Sequence, residues 1–268
     1  MISVIIPALN DGKTVGNTVA FVYANASYKR LLQEVIVVDG GSDDNTVAEA
    51  RKAGARVLRT SLKSRAARAN FGARKATGQI LYFLPAASLP PANFIGEIAK
   101  AHAKGFACGT FMLKYSASHW ILNGVAWAAN RYPNLIQLSD QSLFAAKELF
   151  DKSGGFRRDH LVMAHQEMIK RMKRYANFIV LKESVIGSPG KFLQSGFIKT
   201  GVLQSVVYAM HKMGFSQRKM VSLYQRFLKW DLGTKAEPAA QANQRELKPN
   251  EKAVQKVTTT IKAPRTAA

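Results

Sequence analysis

Two short blocks of β-branched apolar residues, Ile2–Ile6 and Val35–Val38, each end abruptly in a polar, turn-forming loop. The first block runs into Pro7-Ala8-Leu9-Asn10-Asp11-Gly12, the second into Asp39-Gly40-Gly41-Ser42-Asp43-Asp44-Asn45. Continuous apolar runs of this length suit strands buried on both faces of a parallel sheet. A helix-length segment separates them, so the pair reads as a βαβ unit. The Asp39 carboxylate then stands at a strand's carboxyl end, where open α/β sheets place their ligands. Gly40 and Gly41 allow a sharp turn and close approach of a ligand to the backbone. Asn45 or Asp44 can cap the helix that begins at Thr46. The plainer alternative is an ordinary strand–turn–helix junction.

The alternation continues down the chain. VAEARKAGA is rich in helix formers and stops at Gly54, a C-cap residue. Arg56–Leu58 predicts a short strand, Arg65–Ala76 a helix and Gln79–Leu84 a buried strand. Pro90 and Pro91 suit the first turn of a helix reaching about Lys104. Phe106–Leu113 predicts a strand, Ser118–Arg131 a helix and Ser142–Ala145 another strand. Strands alternating with helices to about residue 185 argue for an α/β domain with a mostly parallel sheet flanked by helices. Further on, Val202, Leu203, Val206, Val207 and Met210 recur at helical spacing among lysines, and Ser216 opens a second helix with Met220, Leu223, Tyr224, Phe227 and Leu228. Basic amphipathic helices of this kind lie on an anionic bilayer or pack onto a sheet. From Thr234 the chain has almost no large apolar residues and predicts a disordered basic tail. The organisation expected is a domain over 1–190, amphipathic helices over 191–232 and a tail over 233–268.

Charge changes the picture more than apolar content does. The 268 residues carry 39 Lys or Arg against 17 Asp or Glu, a formal charge of +22. Such a field favours anionic partners: nucleotide diphosphates, acidic lipid headgroups or nucleic acid. Nucleic acid has the least support, because the basic residues are spread out and neither an aromatic–basic RNA motif nor zinc spacing is present. Walker-type phosphate loops and GxGxxG fingerprints are absent, which removes ATPase and dehydrogenase readings. Cys108 is the only cysteine, so no intrachain disulfide forms. The opening MISVIIPALND lacks a basic leader or cleavage site, and no apolar stretch approaches the roughly 18–20 residues needed to span a bilayer. A cytoplasmic protein, peripheral at the inner face of the cell membrane, is expected.

The pair SVIIPALND and VIVVDGGSDDNT resembles the opening of the family 2 glycosyltransferases, which have a GT-A fold. SRAARANFGARKATGQILYFLPAASLPP, with Arg65, Asn70 and Gly72, is similar to a bacterial subgroup, the rSAM/selenodomain-associated transferase 2 type. LSDQSLFAAKELFDKSGGF matches the same subgroup through Asp140, Gln141, Gly154, Gly155 and Phe156, and GFSQRKMVSLY resembles its C-terminal end. The resemblance covers roughly residues 1–230. It implies a nucleotide-diphosphate sugar as partner, with Pro7, Asn10, Asp39 and Gly41 around the nucleotide, Arg65 at the diphosphate, and Asp140 and Gln141 at the acceptor or sugar.

Two positions depart from that pattern. Where the family places a metal-holding aspartate after the fourth strand, this chain reads Pro85-Ala86-Ala87-Ser88, with Ala87 at the Asp position. Mg²⁺ or Mn²⁺ takes carboxylate oxygens, so no metal or other cofactor is expected here. Where the subgroup carries Met-Glu-Asp, this chain reads Met163-Ala164-His165-Gln166-Glu167. His165 takes the place of the general base, and a histidine can fill that role; the alternative is an exposed polar residue at a helix start. Glu167, two positions on, faces elsewhere if the helix has begun. Two readings fit these losses. In one, sugar is transferred without metal to a lipid-linked or polysaccharide hydroxyl, with Arg65 and Arg68 stabilising the departing diphosphate. In the other, a catalytically silent protein keeps a donor-shaped pocket.

Overall fold

The computed structural model describes residues 1–25, 29–132 and 140–228. Eight strands build one sheet: β1 (Ile2–Ala8), β2 (Leu32–Asp39), β3 (Arg56–Arg59), β4 (Ile80–Phe83), β5 (Ser88–Leu89), β6 (Cys108–Tyr115), β7 (Leu143–Ala146) and β8 (Phe178–Gly187). The helices are α1 (Val15–Ala24), α2 (Thr46–Lys52), α3 (Arg65–Lys75), α4 (Phe94–Ala103), α5 (Trp120–Arg131), α6 (Lys147–Lys152), α7 (Ala164–Met172), α8 (Gly190–Ser195), α9 (Phe197–Lys212) and α10 (Gln217–Leu228). The sheet order is β3-β2-β1-β4-β7-β6-β8-β5. Only β7 and β5 run against the other six strands.

The apolar runs of β1 and β2 are buried on both faces, as a strand between two helical layers requires. One core lies beneath α1 and α4 and includes Val4, Ile6, Val37, Tyr82, Phe94 and Phe144. The other lies beneath α3, α6 and α7, with Ile5, Val38, Leu81, Leu143 and Met168. Gly72 brings α3 down onto the sheet, because a Cβ there would meet Ile5 Cγ2 at 2.6 Å and Val38 Cγ2 at 2.9 Å. A third, smaller cluster joins Leu203 and Val207 of α9 to Met220 and Tyr224 of α10 and to Val162.

Several boundaries move for local reasons. Thr46 does start α2, and Asp44 rather than Asn45 supplies the side chain: its Oδ1 accepts the Thr46 N–H at 2.9 Å. Pro90 and Pro91 precede α4 rather than open it, since Pro91 O already accepts from Phe94 N in a turn before the helix. α5 begins two residues later than Ser118, capped by His119, whose Nδ1 accepts from Ile121 N at 3.2 Å. β5 and β8, at the far edge, were not read as strands from the sequence. The tail predicted to be disordered over 233–268 lies outside the described residues.

Candidate active site

β2 and β3 lie to one side of β1 and β4 to the other, so the chain reverses direction of growth at β1. In open α/β sheets the crevice at such a point, outside the carboxyl ends, is where ligands bind. The loops after β1 and β2 are tied to each other there. Asn10, with left-handed φ of 55°, donates its N–H to Ser42 Oγ (2.9 Å) and accepts from Asp43 N through Oδ1 (2.9 Å). Asp39 has no exposed surface. Its carboxylate accepts from Gly41 N (3.1 Å), Ser42 N (3.3 Å) and the Ser42 hydroxyl. Gly41, at φ 82°, suits the turn that this carboxylate folds around itself. Pro7 is buried in β1 opposite Val38, two residues beyond the last pairing with β4, and its missing N–H ends that ladder.

The amino end of α3 brings two arginines to the same rim. Arg68 is nearly fully buried. Its Nη1 donates to the carbonyls of Leu62 (3.1 Å) and Lys63 (2.6 Å), while Nε is buried without a partner. Burial, and then the neighbouring Arg65 charge, lower its pKa to about 10. Gly40 is required beside it, because a Cβ would stand 2.7 Å from Arg68 Nη1. Arg65 is also pushed down by burial, against the opposing pull of Asp140 and Asp11. Asp11 is raised by burial, with both arginines acting the other way. Arg65 and Arg68 thus bring two like charges together at the rim, one of them with a buried guanidinium N–H that has no partner, an arrangement able to pair with an anion.

β7 delivers the other half. Because it is antiparallel to β4, with Leu143 opposite Phe83, its beginning lies at the rim where the parallel strands end. Asp140, just before it, comes within 3.4 Å of the Tyr115 hydroxyl and within electrostatic reach of Arg65, His165 and Tyr224. Burial raises Tyr115 and pushes Tyr224 up to about 12, and Asp140 adds to both. Gln141 is buried beneath, its Nε2 donating to Phe111 O at a long 3.5 Å.

His165 lies in the first turn of α7, with Nε2 buried and without a partner. Its ring stacks against Phe156 at 6.4 Å between centroids. Burial first, then the Arg65 charge, lower its pKa to about 3, with Asp140 opposing. The preceding Met163 holds a left-handed backbone (φ 60°), a conformation that costs a non-glycine residue on the order of 1 kcal/mol or more and concentrates at functional sites. His165 is thus a helix-start residue of intermediate exposure whose Nε2 is buried. Glu167 points elsewhere, paired with Arg171 at 2.7 Å.

A histidine held neutral by the fold has a pH signature. Its folded pKa lies below the ordinary value of about 6.5, so between pH 6.5 and 3 the unfolded chain binds the extra proton and stability falls as pH falls. The slope from this one group approaches about 1 kcal/mol per pH unit. We expect His165→Asn to flatten the acid side of a melting-temperature profile between pH 6.5 and 4. An unchanged profile would show that His165 is open to solvent.

After β4 the chain offers a divalent cation no carboxylate: Ala86 and Ala87 carry methyls and Ser88 one neutral oxygen. Among the described residues no three His, Cys, Asp or Glu group together. The arrangement thus joins four sequence-derived residues (Arg65, Asp140, His165 and, beneath them, Gln141) and links Asn10 to Asp39 through Ser42 and Asp43. Asp11, Tyr115 and Tyr224 were missed. Asp11 sits in the loop already singled out, whereas the two tyrosines arrive from β6 and α10 with no local signal.

No curated protein sequence matches the chain. Among solved structures, it is similar to the mannosyltransferase PcManGT from Pyrobaculum calidifontis in complex with GDP-Man and Mn²⁺ (TM-score 0.63, 18% identity, 97% of this chain and 79% of that one). Staphylococcus aureus TarS 1–349 in complex with UDP-GlcNAc gives TM-score 0.59 at 15% identity over 94% of this chain and 77% of that one. Glucosyl-3-phosphoglycerate synthase from Mycobacterium tuberculosis, with Mn²⁺, UDP and glucosyl-3-phosphoglycerate, gives 0.56 at 18% identity over 80% of each. At these identities the likeness establishes a shared GT-A fold. The sequence profile of glycosyl transferase family 2 matches residues 3–160, more than half of the chain, and the protein belongs to that family.

Proposed function

We propose that the protein transfers a glycosyl group from a nucleotide-diphosphate sugar to a hydroxyl of a lipid-linked or polysaccharide acceptor, at the inner surface of the cell membrane. The observation that carries this reading is the convergence of Arg65, Arg68, Asp11, Asp140 and His165 at the carboxyl rim of β1 and β4. The arginines take the diphosphate, with Lys63 beside Gly41 as a third cation (Nζ to Gly41 O 3.2 Å). Guanidinium groups fixed before the reaction stabilise a departing diphosphate without reorganising, the task a metal performs elsewhere. Asn10 and the Asp39-anchored loop shape the nucleoside end, where Asp39 acts as a positioning residue. Asp140 and Gln141 serve the sugar or acceptor side.

His165 takes the acceptor proton. At pKa about 3 it is fully unprotonated at neutral pH but a weak base. A diphosphate neutralising Arg65 removes one of the charges that depress it, so donor binding raises its basicity. That same weakness in the free protein favours the second reading, a binder without turnover.

Titration calorimetry with UDP- and GDP-sugars in the presence of EDTA tests the first step. Binding that is unchanged by EDTA or added Mg²⁺ is expected. No binding by any member of the panel refutes the donor site. Release of nucleoside diphosphate under saturating donor then separates transferase from binder, the latter showing none at any metal concentration.

A further inference from the structure

α9 is apolar on two sides. One side, Leu203 and Val207, is buried against α10 and Val162, while Ile198 and Val202 on the other are 67% and 59% exposed. That open side does not stand alone. His119 at the start of α5 stacks on Phe197 at 3.8 Å between ring centroids, and Gly201 lets Ile121 approach, since a Cβ there would be 3.3 Å from Ile121 Cγ2. The two helices so joined enclose an open apolar groove of about 480 Å³. Trp120 and Trp127, one heptad apart on α5, are 74% and 62% exposed beside it.

Patches of this kind mark an interaction site, and charge identifies the partner. From Glu97 to Asp140, and again from Glu183 to Asp231, the chain has no acidic residue between, and the second interval holds seven Lys or Arg. Lys212 and Lys219 lie over the rings of Tyr208 and Phe215, at 5.4 and 5.5 Å, at the C-terminal end of α9 and beyond it. Exposed tryptophans, a broad shallow apolar surface and cations without anions match the headgroup level of an anionic bilayer. No described helix is long and apolar enough to cross a membrane, so this face lies on it.

We propose that the α5–α9 face, led by Trp120, Ile198 and Val202, is a docking surface for anionic lipid. The proposal rests on the membrane-surface placement given above and locates it on a face that includes α5, which carries no amphipathic basic pattern. The buried side of α9 lies next to the candidate site. Leu203 and Val207 pack on Val162, and Gln217 Oε1 of α10 accepts the Val162 N–H at 3.2 Å, three residues before His165.

The test is co-sedimentation of the full chain with vesicles of phosphatidylcholine alone or mixed with phosphatidylglycerol, for the wild type, Trp120→Ser and Val202→Asp. Both positions are exposed, so the variants should melt as the wild type does. Expected are salt-sensitive binding to the anionic vesicles only, weakened about tenfold or more by each variant, and tryptophan quenching by brominated lipid. Equal binding by wild type and variants would overturn the proposal in favour of attraction through other cations. No vesicle binding, with a dimer in sedimentation velocity that Val202→Asp dissolves, would assign the face to a second copy. Sugar-nucleotide calorimetry is run without lipid, so failure here leaves that result standing, and the reverse.

Discussion

Arg65→Ala is expected to weaken sugar-nucleotide binding by roughly 10- to 150-fold, the equivalent of about 1.5–3 kcal/mol for a lost charged hydrogen bond. Asp140 and Asp11 both act on Arg65, and each carboxylate favours its charge. Removing it takes a positive group from the diphosphate and leaves two carboxylates facing the same anion. Arg65→Lys should restore only part of the loss, because an ammonium cannot make the paired, planar contact of a guanidinium. One further readout separates a binding role from a merely structural one. Arg65 is the second cause holding His165 down, so its removal should move the His165 titration upward while burial still keeps it below the ordinary value. Calorimetry gives the first quantity and NMR of the imidazole the second. Wild-type affinity in Arg65→Ala would place the diphosphate elsewhere.

Asn70→Leu is expected to cost about 2–4 kcal/mol in stability, read from chemical denaturation. Asn70 is buried in α3 and embraces one residue of a distant turn. Its Nδ2 donates to Phe156 O at 2.7 Å, and its Oδ1 accepts from Phe156 N at 2.8 Å. Leucine fills the space but leaves both backbone groups of Phe156 buried and unpaired. The turn has no slack to compensate: Gly154 and Gly155 hold φ of 76° and 65°, and a Cβ on Gly155 would fall 2.8 Å from Asn70 Oδ1. Phe156 in turn packs on Phe83, Phe150 and His165, so the loss should also loosen His165. A change under 0.5 kcal/mol would mean that the turn holds itself.

The same pair shows what the sequence made legible. Asn70, Gly72, Gly154, Gly155 and Phe156 stood out as motif positions with no reason attached. The fold supplies it: Gly72 seats α3 on the sheet, and the others form one joint between α3 and the turn ahead of α7, in which Asn70 holds a residue 86 positions away. Strands β1, β2 and β4 were legible because burial on both faces leaves unbroken apolar runs. β8 was not, since its residues are partly exposed and mixed with Lys182 and Glu183. Arg65 and Asp140 were legible through resemblance, and their meeting follows from the reversed direction of β7, which no local pattern encodes. Tyr115 and Tyr224 carry no signature, because burial beside Asp140 is a property of the packed chain.

That reversed strand also sets an order of assembly. β1 to β4 pair among the first 83 residues, whereas β7 must reach back to β4 from Leu143, and β6 pairs with the later β7 and β8. Closing longer loops costs more entropy, and distant pairings form late. On the ribosome, the half bearing the two arginines can therefore take shape while the strand that brings Asp140 is still being made. In refolding followed by pulsed hydrogen exchange, amides of β1 and β2 should gain protection ahead of those of β7 and β8.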